Sequence, residues 1–137
     1  MSVRRSAVFL IHPVVGWALC GATIGAGMAT TTMENTLRIH AVAAPVIFIT
    51  LSLIYFRNFG YTRPLLTAVL FTAIVMLLDF FAVALVIYHS LAMFESVLGT
   101  WIPFALIFVS TYLTGLVAAR RRAPHTSAIP VRNSARD

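Results

Sequence analysis

The sequence contains no lysine, only four carboxylates and only one cysteine among its 137 residues. Charged residues make up 10% of the chain, against about 25% in an ordinary soluble domain. So little charge cannot cover a water-facing surface, which excludes a soluble globular domain. The single cysteine, Cys20, excludes an intrachain disulfide and a cysteine-only metal cage. It sits inside an apolar run and reads as a small packing residue. No catalytic, nucleotide-binding or metal motif is present, so the chain reads as a non-enzyme without a cofactor.

Apolar residues are what the chain does have, at 60% of the total, with a mean hydropathy of +0.92. The length suffices for one domain. A membrane span needs about 20 mostly apolar residues, and four such runs appear, near 7–29, 37–56, 64–88 and 97–119. The links between them are short, which makes successive helices antiparallel. The expected fold is an all-α membrane protein, a four-helix up-down-up-down bundle over residues 1–119. The segment 120–137, rich in Arg, Pro, Ser and Ala, buries too little apolar surface to fold and reads as a basic disordered tail.

The net charge of +6 raises nucleic acid as a partner, but the arginines stand at the ends of the apolar runs, which is a topology signal. Arg4 and Arg5 precede the first run, Arg57 and Arg63 flank the second link, and Arg120, Arg121 and Arg122 follow the last. With four spans these regions share one side, and positive-inside makes it the cytoplasm. The other side holds Glu34 and Glu95 with one arginine, Arg38. The expected location is therefore the inner (plasma) membrane, with both termini cytoplasmic. Trp101 and Tyr88 fit an outer aromatic belt and Tyr61 an inner one. The first run does not read as a cleaved signal. His12-Pro13 interrupts it, it continues to about Ala29, longer than a signal's apolar core, and Leu19 before Cys20 does not suit a lipoprotein signal.

Lipid tails are as apolar as leucine, so helices in a bilayer associate through small residues and polar contacts. In the first span His12, Gly16, Cys20, Thr23 and Gly27 share one face, and Ala18, Gly21, Ala22, Gly25 and Ala29 another. Gly21 and Gly25 form a G-x-x-x-G, which we read as packing within the chain. Trp17, Ile24 and Met28 form a third, bulky face expected to meet lipid. Pro45 and Pro103 each free a carbonyl one turn back and should kink their helices. The two freed carbonyls, at similar depth, are a candidate floor for a small polar pocket.

Asp79 lies deep in the third run, on a stripe of Ala68, Thr72, Val75, Asp79, Ala82 and Val86 that keeps to one side of a helix. A charge at mid-span costs about 2.5–3.5 kcal/mol on the insertion scale, so this face should meet the bundle. Arg38 and His40 lie nearer the outer surface and lean outward, while Asp79 leans inward, which disfavours a direct pair. The expected partner is Thr23, at about the same depth as Asp79, or else a freed carbonyl that shares a proton carried by Asp79. The partner decides whether Asp79 is a protonatable carrier or a fixed counter-ion. His12 is read as a packed histidine bonded to a neighbouring helix. His40 and His89 are the two residues that could ligate a haem, and His125 falls in the tail.

Four short spans with one buried carboxylate resemble the small multidrug resistance transporters in outline. Their glutamate lies in the first helix and Asp79 lies in the third, so no residue is carried over. Three functions follow as expectations. The first is a non-enzymatic membrane module or accessory subunit, as a homo-oligomer or within a larger membrane complex. The second is an oligomeric proton-linked transporter or channel using Asp79. The third is a haem or quinone subunit of an electron-transfer complex. Arg120–Arg122, with Arg132 and Arg136, carry the chemistry for anionic lipid heads at about 1 kcal/mol each, though setting topology explains the same residues.

Overall fold

The computed structural model of the chain describes residues 3–87 and 89–122. Helix α1 spans Val3–Thr30 and α2 spans Met33–Asn58. Helix α3 spans Pro64–Leu78 and continues as a π-helix over Asp79–Ile87. A short 3-10 turn, Ala92–Glu95, leads to a π-helical turn, Val97–Trp101, which runs into α4, Ile102–Arg122. Four segments, Val3–Thr30, Met33–Asn58, Pro64–Ile87 and Val97–Arg122, are long and apolar enough to cross a membrane. No strand occurs among the described residues. Helix α4 continues past the expected end at 119, so Arg120–Arg122 are helical. Tyr88 and the rest of the expected tail, with His125, Arg132 and Arg136, lie outside the described residues.

The helix ends follow from local chemistry. Thr32 caps α2 by accepting a hydrogen bond from the Asn35 amide at 3.4 Å. Pro64 opens α3, where its missing N–H costs nothing. Ser96 caps the turn before α4, its Oγ accepting from the Gly99 amide at 2.9 Å. At the end of α2 the amides of Phe59 and Gly60 both donate to the Tyr55 carbonyl, and Gly60 turns the chain at φ +53°, a conformation that glycine adopts without a Cβ penalty.

Helix α1 packs on α2, α2 on α4 and α4 on α3, with a lighter contact between α1 and α3. Glycines set the closest approaches. A Cβ on Gly16 would stand 2.6 Å from the Phe48 ring, and one on Gly27 would stand 2.6 Å from Thr36. Gly115 likewise admits the Phe56 ring and Pro64, each 2.7 Å from where its Cβ would be. Phe9, Tyr55 and Phe71 form an aromatic knot joining α1, α2 and α3, with centroids 5.1–5.7 Å apart.

Two expectations require correction. The G-x-x-x-G of α1 does not pack within the chain: Gly21 and Gly25 have nothing within 4 Å of an added Cβ. Ala18, Ala22 and Ala29 beside them are exposed as well. The reason is the position of α1 at the edge of the bundle, where the Gly16–Gly27 face takes the α2 contact and the opposite face is left over.

The stripe on α3 holds only as far as Asp79. Ala68 and Val75 are buried, but Val86 is 68% exposed and Ala84 takes the buried place instead. A π-helix spends an extra residue on each turn. The inward position therefore advances by four from Val75 to Asp79 and by five from Asp79 to Ala84.

Pro103 is buried as the second residue of α4, directly after the π-helical turn, in which the Ile102 amide donates back to Val97. Widening the turn there accommodates a ring that cannot donate and would crowd the carbonyl one α-turn back. Pro45 lies inside α2. Neither of the two cavities described is lined by Pro45 or Pro103.

Candidate functional site

Asp79 is the carboxylate around which a site could form, and its partner is Trp17. The indole Nε1–H donates to Asp79 Oδ1 at 2.8 Å, joining α1 to α3. This corrects two expectations together. Thr23 is not the partner: its hydroxyl donates to the Leu19 carbonyl of its own helix at 2.9 Å. Trp17 is not on a lipid face, whereas Met28 of the same predicted face is 47% exposed.

The physical reason is the way each polar group finds its hydrogen-bond partner. A threonine on a helix can spend its one proton on the carbonyl a turn back, whereas an indole N–H has no acceptor on its own helix and must find one elsewhere. Trp17 reaches across the lightly packed α1–α3 seam to do so.

Arg38 is also accounted for without Asp79. It pairs with Glu34 one turn earlier on α2, and both side chains are largely exposed. Thr72, two steps along the stripe from Asp79, has a buried Oγ1 without a hydrogen-bond partner among the described residues.

The histidines are held in different ways. His12 is buried, and its Nδ1–H donates to the Val8 carbonyl of its own helix at 2.7 Å, not to a neighbouring helix as expected. Its ring meets the neighbours by packing: edge-on to Tyr55 and Phe59, and stacked at 19° on Phe71. That hydrogen bond requires the proton to sit on Nδ1. His40 is 5% exposed with Nδ1 unpartnered among the described residues. His89 is exposed in the link after α3, at φ +50°. The two residues of the haem expectation thus differ in setting, one inside α2 and one in a connecting segment. No cluster of three metal-ligating side chains occurs among the described residues.

Two polar arrangements were not anticipated. Tyr55, Thr62 and Thr67 form a chain of hydroxyls, with Tyr55 Oη 2.9 Å from Thr62 Oγ1 and Thr62 Oγ1 2.6 Å from Thr67 Oγ1. Thr67 passes its own proton to the Arg63 carbonyl at 3.0 Å, so the chain ends on backbone. The second is Arg122. Its Nη2 donates to the Phe56 carbonyl and, at 2.9 Å, to the Arg57 carbonyl, closing the end of α2 from the end of α4. Placing a cation on the terminal carbonyls of a helix complements its dipole.

In sequence Arg122 is one of three adjacent arginines; in the structure it lies against Gly60, the glycine of "RNFGYTRP". A Cβ there would lie 2.5 Å from Arg122 Nη1. Among the aromatics assigned to membrane belts, Trp101 is 48% exposed and donates to the Phe94 carbonyl at 2.9 Å. Tyr61 carries the Arg5 guanidinium 5.2 Å over its ring. No protein family, curated protein or solved structure matches this chain.

Proposed function

We propose that the chain is a non-enzymatic module of the inner (plasma) membrane, an accessory subunit or small homo-oligomer. Its four helices cross up-down-up-down with both termini in the cytoplasm. Two features support insertion. The four long helices carry large apolar side chains outward, such as Ile11 at 58%, Val42 at 69% and Leu77 at 56% exposure, and so large an apolar surface marks contact with a membrane or with other protein. Arginine is gathered at one end of the bundle, which under the positive-inside rule is the cytoplasmic end. The contacts of Gly16 with Phe48 and of Gly27 with Thr36 have residue numbers running in opposite senses, which supports the antiparallel path of α1 and α2.

The observation that carries the non-enzymatic reading is the Trp17–Asp79 hydrogen bond. The one membrane-embedded carboxylate of the described chain is engaged by a donor from the same bundle, as a tie between α1 and α3. Its second oxygen has no protein donor within the described hydrogen bonds, and Asp79 opens a π-helical stretch, a feature frequent at functional sites. That pair of facts favours proton-linked transport as the second reading.

Purified protein in proteoliposomes separates the two. The module reading expects no proton flux that depends on Asp79, together with lower thermal stability in both Asp79→Ala and Trp17→Phe. A proton flux present in the parent protein and lost in Asp79→Asn replaces the module reading with transport.

A further inference from the structure

At the arginine-rich end of the bundle a cavity of about 320 Å³ opens between the end of α2, the turn after it and the end of α4. Phe56, Gly115 and Ala118 give it an apolar floor; Gly60, Thr62 and Arg122 line it further. Seven arginines occupy the segments at this end, Arg4, Arg5, Arg57, Arg63 and Arg120–Arg122, and no carboxylate of the described residues shares those segments. The described carboxylates are Glu34, Asp79 and Glu95, on other parts of the chain. Of these arginines Arg122 is the one that lines the cavity, beside its apolar residues.

Arg122 reaches the end of α2. Both hydrogens of Nη2 are used, one on the Phe56 carbonyl and one on the Arg57 carbonyl. A guanidinium has five N–H donors, so Nε and Nη1 keep three without an acceptor among the described hydrogen bonds. Gly60 makes room for Nη1, since any Cβ there would collide with it. A guanidinium with spare donors suits a phosphate, whose oxygens accept in a matching fork. Basic cavities between helices at the cytoplasmic face are where anionic lipid heads bind.

We propose that this cavity binds the headgroup of an anionic phospholipid, with Arg122 on the phosphate and an acyl chain running over the Phe56, Gly115 and Ala118 floor. Charge complementarity selects the anionic headgroup, and the apolar floor selects a lipid over a soluble anion. The remaining arginines supply the surrounding field.

Native mass spectrometry of the full chain in detergent micelles tests this, with phosphatidylglycerol and phosphatidylcholine offered separately. The expected result is retained phosphatidylglycerol and no retained phosphatidylcholine. Arg122→Ala should weaken retention about tenfold, the scale of one charge-assisted phosphate contact. Ala118→Leu fills the floor without touching the guanidinium and should weaken it as well, which keeps the test open if Arg122→Ala does not fold. Arg38→Ala, on a different part of the bundle, should retain lipid like the parent.

Equal retention of both lipids overturns the proposal, and so does undiminished retention in Ala118→Leu. Displacement of the lipid by excess inorganic phosphate overturns the lipid assignment in favour of a soluble anion. The inference rests on membrane insertion. A chain that extracts without detergent overturns both readings, whereas a detergent-requiring chain that ignores phosphatidylglycerol overturns this one alone.

Discussion

Trp17 and Asp79 are 62 residues apart in sequence and share a hydrogen bond of 2.8 Å. It crosses the seam between α1 and α3, where the helices otherwise touch only lightly. Interhelical hydrogen bonds in a membrane contribute about 0.6 kcal/mol on average and up to about 1.7. Trp17→Phe keeps most of the ring and deletes the donor, so it should cost about that much in stability. Asp79→Ala should cost a similar amount, and the double variant less than the sum, because both remove one interaction. Thermal unfolding in detergent, followed by circular dichroism, measures all three. Additive losses would mean that the two residues are not coupled.

The two glycine pairs of α1 should respond oppositely. Gly16→Ala drives a Cβ to 2.6 Å from the Phe48 ring and should destabilise by about 1–3 kcal/mol, the usual range for overpacking. Gly21→Ala and Gly25→Ala add a methyl in open space and remove a flexible residue from a helix. They should stabilise the isolated chain by about 0.5–1 kcal/mol. The same unfolding assay reads both, and a destabilising Gly25→Ala would show that something covers that face.

Gly60→Ala places a side chain at φ +53° and against Arg122 Nη1. Backbone strain of this kind costs about 1–3 kcal/mol. The loss should be smaller in an Arg122→Ala background, where the collision is gone and only the strain remains. A double-mutant cycle on unfolding midpoints separates the two contributions.

Ser52 and Thr111 are fully buried, and their hydroxyls have no partner among the described residues. Replacing such a group by an apolar one of similar shape is close to neutral or stabilising. Ser52→Ala and Thr111→Val should therefore leave the unfolding midpoint unchanged or raise it. A marked fall in either would point to a hydroxyl with a partner.

The helices were legible because hydropathy is a local quantity summed along the chain. The four expected runs fall inside the four long helices to within a few residues. The Gly16–Gly27 face was legible for a similar reason, as helical spacing places those residues on one side whatever they meet. The partner of Asp79 was not. Depth along each helix suggested Thr23, but depth ignores that a threonine can satisfy itself on its own backbone. Trp17 was assigned to lipid by bulk, although its N–H demanded an acceptor. The π-helical slip after Asp79 defeated a stripe counted in steps of three and four. Arg122 could not be singled out from Arg120 and Arg121 by sequence, because only the turn at Gly60 decides which of the three reaches the end of α2.

The packing order has a consequence for synthesis. Helix α3 follows α2 along the chain, yet its main neighbour is α4, with a lighter contact to α1. The hairpin of α1 and α2 can form as soon as both have left the ribosome. Helix α3 then enters with Asp79 able to meet Trp17 at once, but with its broader face bare until α4 arrives between it and α2. The Trp17–Asp79 hydrogen bond and the contacts of Phe71 with Phe9 and Tyr55 are thus the ties open to α3 before α4 is made.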